Sequence, residues 1–267
     1  MTKFFEGPKP RLFAHRGASG EAPENTMAAF QRAVALGIQY VELDVRASQD
    51  EQILVMHDET IERTTNGVGP VPEYSLAALQ QLDAGYRFSS DGGSTLPFRA
   101  SDVIIPSLEE VLATFPELKY TIEIKQVQPP IEGDVLEVVR RCGRLGDVII
   151  ASESDDVLAR ARALAPDVPT NLGFNETVQF MQMVSSCRFD DYDPPGAALQ
   201  IPPRYQNIEL VTEQSLSAAH QAGLEMHVWT VNDRAEMKRL FELGVDGIMS
   251  DFPGRLLDVA EEVASMT

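Results

Sequence analysis

The sequence is poor in several residue types, and each shortage excludes something. Among 267 residues there are two cysteines, four histidines and one tryptophan. Cys142 and Cys187 stand far apart with no C-x-x-C pair, so neither a disulfide scaffold nor a cysteine-ligated zinc site is expected, and both read as free thiols. No stretch approaches the ~20 apolar residues of a spanning helix, and the N-terminal MTKFFEGPKPRLFAHRG lacks a signal-peptide core, so a cytoplasmic chain without membrane insertion is expected. Positive charge is also scarce. Lys and Arg number 22 against 41 Asp and Glu, and the net charge of −19 repels nucleic acid and anionic lipid. A small anionic substrate remains compatible with that charge if the site supplies its own cations, because bulk repulsion is screened over ~8 Å.

What is present is a regular alternation. Eight short apolar runs, at 11–15, 39–45, 119–125, 147–152, 168–174, 197–201, 224–231 and 246–250, read as strands. Amphipathic helical patterns lie between them. Ser107 with Glu110 forms a capping box, and Gly37, Gly143 and Gly244 stand where helices should stop. The length suits one α/β domain over 1–267, and the alternation favours a closed (β/α)8 TIM-type barrel over an open doubly wound sheet. Residues 58–106 break the rhythm with NGVGP, SSDGG and one modest helical stretch at 75–82. They read as a small insertion after the second strand, either a lid or subdomain over the barrel mouth or a solvated excursion.

Strand side chains alternate between faces, so in V41-E42-L43-D44-V45-R46 the carboxylates of Glu42 and Asp44 share the face opposite the apolar residues. That polar face should point into the barrel, where two like charges need a cation or protons. The same alternation turns Glu123 and Lys125 inward. Glu42, Asp44 and Glu123 form an all-oxygen set for one hard divalent cation, Mg²⁺ or Ca²⁺, with an ion pair from Glu123 to Lys125 or Arg46 as the plainer role. His15 and His57 end apolar runs near the acidic pair and are the candidate acid and base. Arg16 and Lys125 would balance the site with a divalent ion and a monoanionic substrate bound. Trp229 reads as a pocket wall or as core, and His220 and His227 read as structural.

The series H15-R16-G17, P23-E24-N25-T26, E42-L43-D44, H57-D58, R63-T64-T65, E123-I124-K125, H227-V228-W229-T230-V231-N232 and D246-G247-I248 resembles the glycerophosphodiester phosphodiesterase family in order and spacing. The resemblance runs from about residue 11 to about residue 255. It implies a TIM-type barrel with a small insertion after the second strand, and metal-dependent hydrolysis of glycerophosphodiesters to sn-glycerol 3-phosphate and an alcohol. It also implies His15 and His57 as acid and base, Glu42, Asp44 and Glu123 as metal ligands, and Arg16 and Lys125 near phosphate. The expected partner is a small glycerophosphodiester, and a homo-oligomer is compatible with the sequence. Two other readings stand beside it: a lysophospholipase D-type relative using Phe88, Leu96 and Phe98 as an acyl platform, and a non-catalytic barrel that binds phosphoesters. Two positions depart from the family pattern. D50-E51 replaces the usual Asp-Gly turn, and Ser250 replaces threonine.

Overall fold

The structure is a computed structural model that describes residues 3–186 and 192–265. Cys187 lies outside the described residues; Cys142 is a free thiol. Seven of the eight apolar runs become staves of a parallel barrel, and the eighth contributes two bridges. The staves are β1 (Arg11–His15), β2 (Tyr40–Ala47), β4 (Lys119–Ile124), β5 (Val148–Ala151), β6 (Ala198–Ile201), β9 (Glu225–Val228) and β10 (Gly247–Ser250), and β10 pairs back onto β1. A short β3 (Ile53–Val55) runs antiparallel to β2, and a two-residue-per-strand hairpin, β7 (Arg204–Tyr205) and β8 (Ile208–Glu209), follows β6.

The expected strand at 168–174 is reduced to two parallel bridges, Ile150 to Thr170 and Asn171 to Ala198. Those bridges carry Asn171 N–H to the Ile150 carbonyl at 3.1 Å and Leu172 N–H to the Ala198 carbonyl at 2.9 Å, which closes the ring between β5 and β6. Pro169 has no N–H to give to a ladder and Gly173 leads directly into a helix, so this stave has no room to lengthen.

Helices α1 (Met27–Ala35), α3 (Leu108–Thr114), α4 (Glu132–Arg141), α5 (Asp155–Leu164), α6 (Phe174–Ser186), α7 (Glu213–Gln221), α8 (Arg234–Leu243) and α9 (Pro253–Ala264) each follow one stave. The expected capping box is formed at α3 by Ser107 and Glu110. Gly37, Gly143 and Gly244 all take positive φ, as a left-handed helix stop requires. Two apolar clusters fill the space between staves and helices, one over the β1–β5 half and one over the β6–β10 half. Among the described residues no helix is long and apolar enough to cross a membrane.

The barrel floor is built from the N-terminal segment. Phe4 packs with Phe13, Tyr40, Ile149, Ala198 and Met249, and Trp229 leans on the same cluster from above while remaining partly exposed. Arg11 is buried among them and pairs with Glu225 at 2.8 Å and with the Tyr40 hydroxyl at 2.7 Å. His227 is fully buried and bonds Gln200 and Glu225, and His220 bonds Asp246 at 2.8 Å, the structural roles expected of both.

The insertion has its own small core. Ile61, Val71, Leu79, Ala84 and Ile105 pack on Leu54 and Met56 of the β3 segment. The helical stretch expected at 75–82 is a single turn, α2 (Leu76–Leu79), capped by Ser75. Phe88 and Phe98 meet edge to face, with ring centres 5.3 Å apart, and anchor the outer part of the insertion to itself.

Candidate active site

Register decides which side chains meet at the mouth. His15 stands opposite Glu42 across β1 and β2, and Asp44 stands opposite Glu123 across β2 and β4. Inward-facing residues near the ends of three adjacent parallel staves therefore converge at the C-terminal face, where barrels of this type place their chemistry. Carboxylate oxygens of Glu42, Asp44 and Glu123 all lie within 4.8 Å of one another. Glu42 and Asp44 are buried and Glu123 is partly exposed, so the cluster opens toward Glu123.

Three buried or half-buried carboxylates cannot all ionise cheaply. Burial, reinforced by the Asp44 charge, pushes the Glu42 carboxyl up to about 8. Burial also raises the Glu123 carboxyl, in spite of the Lys125 ammonium 2.6 Å away. Part of the cluster is satisfied within the chain. Glu42 Oε2 accepts the Arg16 N–H at 2.9 Å, and Asp44 Oδ2 accepts the Asn25 amide at 2.8 Å and lies 3.1 Å from Arg16 Nε. Glu42 Oε1 and Asp44 Oδ1, however, are buried with no hydrogen-bond partner. Orphaned acceptors in a cluster of hard oxygen donors are what an oxygen-preferring divalent cation would complete, so the residues present fit such an ion.

His15 is held from behind. Its Nδ1 lies 2.7 Å from Asp251 Oδ1, while Nε2 faces Glu42 Oε2 at 3.8 Å. Asp251 also accepts from Ser19 at 2.8 Å and from the Asn232 amide at 2.6 Å. Burial works to raise the Asp251 carboxyl, but His15 and these donors hold it down at about 2. Burial likewise works to lower the His15 imidazolium, and the Asp251 bond and the Glu42 charge outweigh it and leave the pKa raised. An ionised Asp251 fixes the proton on Nδ1 and turns Nε2 toward the carboxylate cluster.

His57 reaches the mouth by a different route. β3 folds back on β2, the Met56 N–H bonds the Asp44 carbonyl at 2.9 Å, and His57 follows at once. Its Nδ1 lies 2.6 Å from Asp58 Oδ1, and Asp58 is gripped in turn by Arg63. Arg63 also makes a two-pronged pair with Glu24, both contacts at 2.7 Å, and Glu24 pairs with Arg16 at 2.9 Å. A chain of ion pairs thus runs from Arg16 at the first stave to His57 beside the insertion. Each histidine is carboxylate-backed at Nδ1.

The structure brings His15, Arg16, Glu42, Asp44, Glu123 and Lys125 together in one bonded cluster at the mouth, with His57 tied to it through Asp58, Arg63 and Glu24. Lys125 is paired with Glu123, as the plainer reading of that carboxylate expected, and lies 3.5 Å from Asp44. Residues that sequence reasoning did not assign are Asp251, Asn232, Ser19 and Asn25. Asp251 and Asn232 lie at the ends of the last staves and become neighbours of His15 only because β10 closes onto β1. Ser250, the departure from threonine, still supplies a hydroxyl that donates to Asn232 Oδ1 at 3.0 Å and accepts the Phe252 N–H.

Comparison with known proteins extends along the same residues. A glycerophosphodiester phosphodiesterase of Caldanaerobacter subterraneus is 32% identical over 260 residues, covering 95% of this chain and 99% of its own. Lysophospholipase D GDPD1 of Mus musculus is 26% identical over 273 residues, covering 93% and 85%. The structure of an Oleispira antarctica phosphodiesterase in complex with the product sn-glycerol-3-phosphate superposes with a TM-score of 0.74 at 25% identity, covering 94% of this chain and 97% of that one. Residues 15–255, from the histidine that ends the first stave to the helix after the last, match the glycerophosphoryl diester phosphodiesterase family, and the chain belongs to that family.

Proposed function

We propose that the chain hydrolyses glycerophosphodiesters to sn-glycerol 3-phosphate and an alcohol, with His15 and His57 moving the protons beside a divalent cation held by Glu42, Asp44 and Glu123. The observation that carries this reading is a three-carboxylate cluster faced by His15 Nε2, in which Glu42 Oε1 and Asp44 Oδ1 are buried without a hydrogen bond. When bound, Mg²⁺ or Ca²⁺ would supply Lewis-acid polarisation of a phosphoryl oxygen.

The protein's own residues do the rest. Arg16 and Lys125 add positive charge where phosphate oxygens would lie. One histidine takes a proton from the attacking hydroxyl, either water or the neighbouring glycerol hydroxyl, as the new P–O bond forms; in the second case a cyclic phosphate results, which water then opens to sn-glycerol 3-phosphate with the two histidines exchanging roles. The other returns a proton to the departing alkoxide as the old P–O bond breaks, so protons balance over the cycle. Transfers of this kind are typically worth ~10²–10⁴ in rate. Asp251 and Asp58 hold the two rings with Nδ1 turned away from the reaction.

The test is release of sn-glycerol 3-phosphate from glycerophosphocholine with Mg²⁺, with Ca²⁺ and with chelator, run beside a lysophospholipid. Turnover of the diester that is lost with chelator is expected. His15→Ala and His57→Ala should each abolish turnover while metal binding survives. Near-normal turnover by either variant would remove that histidine from the scheme, and preferential cleavage of the lysophospholipid would move the chain to the lysophospholipase D reading.

A further inference from the structure

Arg46 is the site cation that neither charge balance nor the ion-pair network accounts for. It lies two residues beyond Asp44 on β2, on the same strand face as Glu42 and Asp44, hence roughly 7 Å nearer the mouth than the carboxylate cluster. One bond anchors it: Nε donates to the His57 carbonyl at 2.8 Å. Among the described residues, Arg16 and Lys125 are both engaged with site carboxylates, whereas Arg46 forms no ion pair and neither of its Nη groups has a hydrogen-bond partner. Asp44, Asp58 and Glu59 are near enough for their charge to be felt but not to pair with it. Asp58 is already taken by Arg63 and His57.

The guanidinium is half-buried with its outer fork open to solvent, so donors preorganised for planar or paired acceptors are available there to a group entering the mouth. The phosphate belongs lower, beside the carboxylate cluster and its two paired cations. With phosphate in that position, one of its two ester groups would lie one pleat further out, on the His57 side, beside Arg46.

We propose that Arg46 is a specificity-determining residue that favours alcohol head groups bearing carboxylate or hydroxyl acceptors, such as serine or glycerol, over quaternary ammonium head groups such as choline. The inference rests on the diesterase reading above and adds the class of alcohol released. A carboxylate would meet the Nη fork in a two-pronged bond, and vicinal hydroxyls would each accept one N–H. A trimethylammonium group offers no acceptor and meets like charge.

The experiment compares kcat/KM for glycerophosphoserine, glycerophosphoglycerol and glycerophosphocholine in the full chain with saturating divalent metal, for wild type, Arg46→Gln and Arg46→Lys. In wild type the serine and glycerol esters should be preferred over the choline ester. In Arg46→Gln the ratio of glycerophosphoserine to glycerophosphocholine should fall roughly tenfold or more, the scale of a lost charge-assisted hydrogen bond. Arg46→Lys should retain part of the preference. The ratio is measured within one preparation, so partial misfolding of a variant cancels. A parallel loss on all three esters would place Arg46 on the shared glycerol phosphate and overturn the proposal, as would an unchanged ratio. Hydrolysis of none of the three by wild type would instead overturn the diesterase reading, and this inference with it.

Discussion

His15 Nδ1 lies 2.7 Å from Asp251 Oδ1, although 236 residues separate the two in the chain. Asp251 is saturated by Ser19 and Asn232 as well, so it acts as a fixed acceptor that turns His15 Nε2 toward the carboxylate cluster. Asp251→Asn keeps the size of the side chain but lets an amide face Nδ1, which favours the opposite tautomer. On the proposed mechanism kcat should fall about 10²-fold or more with a much smaller change in KM. Metal affinity, measured by titration calorimetry, should stay near that of wild type. Equal turnover by Asp251→Asn would show that the hydrogen bond only packs the loop.

The pH dependence of the carboxylate cluster has a definite sign. Glu42 has an ordinary value of 4.5 and is pushed up to about 8 by burial and by Asp44. Between those values the folded metal-free chain holds a proton at Glu42 that the unfolded chain has lost, so this group's contribution to stability declines as pH rises from about 4.5 through about 8. Melting temperatures of chelator-treated protein across that window should fall more steeply for wild type than for Glu42→Gln. Metal binding displaces the same proton, so affinity for Mg²⁺ or Ca²⁺ should strengthen with pH up to about 8 and then level off. Calorimetry in buffers of different ionisation enthalpy reads the proton released, and an affinity flat across that range would show that Glu42 is already ionised in the metal-free chain.

What the sequence made legible follows from periodicity. Glu42, Asp44 and Glu123 could be placed on one face because strand parity is local and needs no knowledge of the partner strand. Parity placed Arg46 on that face too, but as a potential partner for Glu123, because only the structure shows that Lys125 already holds that carboxylate. The role of Asp251 depends on ring closure, a contact between the first and last staves that no local pattern encodes. The run at 53–56 ends in a histidine in the sequence, but its antiparallel return along β2, which delivers His57, is a property of the fold. The stave at 168–174 was legible as extended chain, but its truncation to two bridges reflects Pro169 and the early start of α6.

The barrel floor offers a test separate from catalysis. Arg11 is 1% exposed and is shared by Glu225, the Tyr40 hydroxyl and the Phe5 carbonyl. Arg11→Met removes the central donor of this network, while Glu225 keeps Lys9 and His227 and the Tyr40 hydroxyl keeps the Phe4 carbonyl and Lys119, so the cost should be about 1–3 kcal/mol. Denaturant unfolding should show a loss of that size. KM of the folded fraction should change little, because the floor lies at the opposite end of the staves from the carboxylates.

The turn after β2 carries a local strain that one substitution should relieve. Glu51 sits at φ 57°, in the left-handed region, where the family pattern commonly has the glycine of an Asp-Gly turn. A residue with a Cβ pays roughly 1–2 kcal/mol there, whereas glycine adopts the conformation freely but loses more backbone entropy on folding, about 0.4–1 kcal/mol. The turn itself does not depend on the Glu51 side chain. Its N–H donates to the Ser48 carbonyl, and Ser48 and Asp50 hold the rest of the loop through their own side chains. Glu51→Gly should therefore stabilise the chain, by roughly 0.5–1 kcal/mol, an unusual direction for introducing glycine. Thermal unfolding at neutral pH with metal present measures it. A lower melting temperature would mean that the exposed Glu51 carboxylate contributes more than its backbone costs.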